Sequence, residues 1–244
     1  MDRILFVGIF KFKENLKQKS TLYFLLFSLF VFVCGIVRQL GVNKNASGTF
    51  LMFVVLCNIY INFVAAYMFA NEFSNGMYKQ LATSNMNSFS FIIGRTLSVV
   101  MTSAFMGFIA IGCYAVWTIV GKEKVNVSDM TGTFIFFIIL AFYISQVSYL
   151  LSELFLNYKS TVIFVALYTL VFPYAYVMVK SLWKSVDLIE KMPIWRLRAR
   201  VRNADIRVAD VTVILGISLV YMLLGLIIEQ KSDFSRVNGD QQDE

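Results

Sequence analysis

Six uninterrupted apolar runs, each roughly 17 to 25 residues long, restrict what this chain can fold into more than any other feature. At about 1.5 Å per residue, runs of that length cross some 30 Å of hydrocarbon as α-helices. They predict spans at 21–37, 50–70, 96–120, 133–152, 161–179 and 211–228. The apolar residues run together and do not alternate as strand residues do. With 58% hydrophobic and 15% charged residues in 244, a water-soluble domain is excluded. The expected fold is all-α and polytopic, with residues 21–228 forming a six-span transmembrane domain. About 120 residues remain for tails and connections, too few for a catalytic domain of ordinary size. Chemistry must then lie inside the membrane or be supplied by another chain.

Histidine is absent, which removes Ser-His and Cys-His nucleophile pairs and His-ligated metals. Cys34, Cys57 and Cys113 all fall inside apolar runs and show no CxxC spacing, so no metal site is expected. Glu72, Glu153 and Asp210 sit near span ends, with no paired acid at mid-membrane, which disfavours an intramembrane enzyme. The net charge of +7 comes from basic residues flanking the apolar runs, where anionic lipid heads sit. Membrane lipids are the expected polyanions, and nucleic acid is not.

Residues 1–20 read as an amphipathic helix lying along the membrane surface. Leu5, Ile9, Phe12 and Leu16 form its stripe, flanked by Lys11, Lys13, Lys17 and Lys19. Residues 229–244 read as a polar, acidic tail. The basic residues bear on orientation. With the amino terminus in the cytoplasm, ten fall inside and twelve outside, so the total decides nothing. The flanks of the first span favour a cytoplasmic amino terminus by five to two.

The loop at 71–95 carries Glu72 at the mouth of the second span and then a break at Gly76. A short amphipathic stretch follows, in which Met77, Tyr78 and Leu81 share a face beside Lys79. The span order, the basic helix at 11–20, Glu72 with Phe73 and Gly76, residues 77–83, and the Gly94–Arg95 pair together form an ordered set. That set resembles the six-span permeases of type-2 ATP-binding-cassette exporters. The resemblance implies that residues 77–83 form a coupling helix docking on a cytosolic ATPase, with Glu72 paired to Lys79 or Arg95. It also implies a second permease chain, as a homodimer or heterodimer.

No G-x-x-x-x-G-K-[ST] motif occurs in the chain. No cofactor is therefore expected here, ATP and Mg belonging to the partner subunit, and the chain is expected to transport and not to act as an enzyme. The small size resembles bacterial exporters of antimicrobial peptides, or immunity systems that expel them. Drugs and lipid-like cargo stay open, and so does a non-transporting scaffold or sensor that docks a cytosolic partner through the same loop. The expected location is the cell membrane.

Asn58 and Asn62 share one face of the second span, and amides in hydrocarbon need either a neighbouring helix or a wet path. Tyr168, Phe172 and Tyr176 form a stripe beside Pro173 in the fifth span. The resemblance places both groups along the substrate path, although a packing stripe fits the spacing equally. Arg196, Arg198, Arg200 and Arg202 alternate with apolar residues at a period of two. Outside the membrane they would meet anionic lipid, envelope polymer or acidic cargo, or form a solvated loop.

Overall fold

In the computed structural model, residues 2–42, 47–74, 88–121, 126–168 and 208–240 are described, and among them every regular element is helical. The helices are α1 (Asp2–Lys17), α2 (Lys19–Val42), α3 (Ser47–Ser74), α4 (Ser88–Val120), α5 (Val127–Phe155), α6 (Tyr158–Ala166) and α7 (Val208–Asp240). Five of them, α2, α3, α4, α5 and α7, are long and apolar enough to cross a membrane. The protein is a multi-pass membrane protein.

The fifth expected span, 161–179, begins as α6 and widens to a π turn at Leu167 and Tyr168, and its remainder lies outside the described residues. All five long helices exceed their expected spans, α4 and α7 furthest at one end. α4 starts at Ser88 because its first turns pack on α1, and α7 continues through the polar tail as far as Asp240.

α3 and α5 form the centre and are the most buried spans, whereas α2 and α7 lie at the edges and are the least buried. α2 packs on α3, and α7 packs chiefly on α5. In lipid there is no hydrophobic force between helices, so close approach depends on small residues. On α4, Ser103 donates to the Phe137 carbonyl of α5 at 2.7 Å, and the open side of Gly107 meets the Phe134 ring. A tight corner joins α5 to α6. Leu156 takes a left-handed conformation with φ 48°, and Asn157 then caps α6 by accepting from the Lys159 N–H at 2.9 Å.

α1 shows two faces. Gly8 packs on Leu97 and on the Gly94 carbonyl, while Val7 rests against Gly94. Leu5 and Ile9 of the expected stripe point outward with Phe6 and Phe10. One face is thus held by α4, and the apolar remainder is free to lie in the lipid interface. Gln18 interrupts the helix axis. There the Asn15 carbonyl accepts from the Gln18 N–H at 3.2 Å and from Thr21 Oγ1 at 2.5 Å, which closes the end of α1.

Candidate functional site

Among the described residues, three polar regions bear on function, and the first is the foot of the bundle beside α1. Arg95 follows the Gly8–Gly94 crossing, is buried, and lies with its guanidinium 5.0 Å above the Phe91 ring. Glu14 of α1 acts on it electrostatically. Arg95 is therefore built into the bundle next to α1. Glu153 of α5 and Glu229 of α7 are buried as well, and the Tyr149 hydroxyl donates to Glu229 Oε2 at 2.6 Å. Phe69, Ile92, Tyr149 and Met222 form a separate apolar cluster here that joins α3, α4, α5 and α7.

Of the expected coupling residues, Glu72 belongs to the last turn of α3, its side chain outside the description. Gly76, Met77, Tyr78, Lys79 and Leu81 lie outside the described residues, as do Phe172, Tyr176 and the four arginines Arg196, Arg198, Arg200 and Arg202.

The second region is the seam between α3 and α6. Tyr67 and Tyr158 meet edge to face at 5.9 Å, and further along, Asn62 and Ala66 face Val162 and Val165. The two helices are therefore antiparallel, and one more turn in the same register sets Asn58 at the height of Leu167 and Tyr168. Of the expected path residues, Asn62 lies on the seam, and Asn58 and Tyr168 belong to the next turn of α3 and of α6. Asn62 Nδ2 donates to its own helix at the Asn58 carbonyl, 2.7 Å away, and both amide oxygens are buried with no hydrogen-bond partner among the described residues.

Tyr168 lies ten residues after Tyr158, about 15 Å along a helix and so near the middle of the hydrocarbon layer. Its hydroxyl pairs with that of Tyr143 on α5. Tyr221 of α7 lies beside this pair, its ring 6.1 Å from that of Tyr143. One bonded pair of phenols with a third ring beside it, on three helices, thereby forms a polar knot at mid-membrane. Tyr143 and Tyr221 were not expected. Their signal in the sequence is a tyrosine deep within an aliphatic run, away from the interfaces where the residue usually sits.

The third region is a cavity of about 400 Å³ at the elbow between α1 and α2, where the seam reaches the foot of the bundle. Phe24, Tyr60, Phe63, Tyr67 and Tyr158 wall it with rings, and Asn15, Gln18 and Ser20 supply its polar groups. Phe24 stacks on Tyr60 at 4.7 Å, and the Tyr60 and Thr21 hydroxyls are 2.5 Å apart, which holds this wall in place. Asn15 is buried, and its Nδ2 donates only to the sulfur of Met68 at 3.8 Å, a weak acceptor. Asn15 also escaped expectation, although an amide on a lysine-rich amphipathic helix is a readable departure from pattern.

Cavity, seam and knot follow one another. Phe63 lines the cavity and also adjoins the seam beside Asn62, while Ala166, at the seam's far end, lies two residues before Tyr168 of the knot. Chemically the arrangement offers neutral donors, acceptors and aromatic faces from the membrane interface to mid-depth. No model of a protein family matches the chain, and comparison with characterised proteins returns no match.

Proposed function

We propose that the chain is the membrane-spanning subunit of an ATP-driven exporter in the cell membrane, moving an amphipathic substrate outward. ATP is hydrolysed by a separate cytosolic subunit, and two permease chains assemble with it. The observation that carries this reading is the continuity from interfacial cavity through the α3–α6 seam to the tyrosine knot. A bundle built only for stability would fill such a seam with aliphatic residues, because an unpaired amide oxygen in an apolar surrounding costs free energy. Asn58 and Asn62 hold two such oxygens where a passing substrate would find them.

The resemblance of residues 71–95 to a coupling loop supports the partner, with Glu72, Gly76, Met77, Tyr78, Lys79, Leu81 and Arg95 as the residues concerned. The burial of Arg95 beside α1 adds a route by which a push on the loop reaches the bundle.

Co-purification of a cytosolic ATPase, followed by ATPase and export assays in lipid vesicles, tests the reading. Asn62→Leu removes the amide and keeps the volume. Export should fall at least about tenfold while assembly with the ATPase persists, as expected for losing a polar contact made in transit. A chain that recruits no ATPase, or an N62L variant that exports at the parental rate, would overturn it.

A further inference from the structure

We propose that the cavity at the α1–α2 elbow is a binding site for the uncharged, hydroxyl-bearing head of an amphiphile drawn from the adjacent leaflet. The position comes first. The cavity is framed by the start of α2, residues 60–67 of α3 and the start of α6, so it runs from the level of Tyr158, at the start of α6, inward along α3. Its volume of about 400 Å³ lies within the range of small-ligand pockets.

The lining selects the head. Among the described residues no lysine, arginine, aspartate or glutamate lines it, so neither an anion nor a cation would meet an opposite charge there. Its walls instead offer ring faces for flat apolar surfaces, amides at Asn15 and Gln18, and hydroxyls at Ser20, Tyr67 and Tyr158. Neutral donors and acceptors beside aromatic faces suit a polyol ring, whose hydroxyls exchange hydrogen bonds while its C–H surface packs on the aromatic walls. Asn15 gives the clearest pointer. Its buried amide donor is spent on a thioether, a poor acceptor that a ligand hydroxyl would replace with gain. Lys17, Lys19 and Lys159 lie next to lining residues in the chain yet are exposed and outside the lining, so they are placed for lipid phosphates and not for the cavity's occupant.

The assignment deepens the exporter reading by naming a substrate class, and it rests on that reading only for what happens after binding. Three single-chain amphiphiles with the same alkyl chain, a diazirine beside the head, and glucoside, trimethylammonium or phosphate as the head group are photolysed with the full chain in lipid nanodiscs. The glucoside should label peptides spanning residues 15–24, 60–67 or 158 at least about fivefold more than either charged probe, with competition by unlabelled glucoside.

Asn15→Leu should cut that labelling about tenfold, consistent with losing one buried hydrogen bond. Tyr158→Ala, on a different helix, should lower it as well, so the test survives if one variant fails to insert. Phe108→Ala, on an exposed face of α4 outside the lining, should leave it unchanged. Equal labelling by all three probes would mean a merely greasy surface. Preference for trimethylammonium would mean a cation-binding aromatic box, and preference for phosphate a lysine site. Each of these outcomes overturns the proposal. Labelling without export of the glucoside would leave the site standing and remove the transport reading, and export without labelling would do the reverse.

Discussion

At Gly225 of α7 the backbone runs so close to Tyr149 that an added Cβ would overlap the ring. Tyr149 has little room to withdraw, because it is fully buried and its hydroxyl is bonded to Glu229 one turn further along α7. Gly225→Ala should therefore destabilise the bundle by about 1 to 3 kcal/mol, read as a fall in the thermal midpoint of the detergent-solubilised protein. Tyr149→Phe keeps the ring and removes only the bond to Glu229. Its cost should be smaller, about 1 kcal/mol, in keeping with interhelical hydrogen bonds in membranes. The discriminating variant is Gly225→Ala combined with Tyr149→Leu. If the steric account holds, the double variant loses less than the sum of its parts, and strict additivity would show that the two residues do not meet.

Each element carries its own local logic. The α5–α6 corner depends on Leu156 at φ 48°, a conformation in which a side chain costs about 1 to 2 kcal/mol relative to glycine. Leu156 is exposed, so little packing is lost by changing it. Leu156→Gly should raise the thermal midpoint by about 2 to 4 °C, and Leu156→Val, branched at Cβ, should lower it. A fall for glycine would show that the leucine side chain contributes more than the backbone strain it causes. The α1–α4 crossing follows the same reasoning at the level of two helices. Gly8 receives the Leu97 side chain and Gly94 receives Val7, so α1 is fixed to the third span and does not merely float on the lipid. For α6, the π turn at Leu167 and Tyr168 rotates the chain where the phenol knot forms, which is where such widened turns are often found in functional helices.

For the molecule as a whole, the foot formed by α1, Arg95, Glu153 and Glu229 lies at one end, and its side of the membrane is a separate matter from its structure. The basic bias around the first span predicts that the amino terminus and residues 71–95 are cytoplasmic and residues 180–208 external. In a Cys34→Ser background, which removes the exposed native thiol, Ser84→Cys should resist a membrane-impermeant thiol reagent in intact cells and Asn203→Cys should react. The reverse pattern would invert the orientation and place the cavity in the outer leaflet. The whole molecule also explains the uneven burial of its helices. The exposed leucine, phenylalanine and valine side chains of α2 and α7 are stable in lipid, where leaving them uncovered has no hydrophobic cost.

The positions of the long apolar helices were legible from the residues alone, because in hydrocarbon each helix must satisfy its own backbone hydrogen bonds. Local apolar length is then nearly sufficient, and α2, α3, α4, α5 and α7 each cover an expected span. The pairing of faces was not legible, since a helix that is apolar all round carries no stripe to distinguish a lipid-facing leucine from a core one. Asn58, Asn62 and Tyr168 announced themselves as polar residues in apolar runs, yet the placing of Asn62 against Val162 and Val165 depends on the antiparallel register of α3 and α6. Tyr143, Tyr221 and Asn15 acquired a role only through neighbours on other helices. Tertiary packing decided these matters because interhelical contact in lipid is set by close fit and a few polar bonds, and both are properties of two surfaces together.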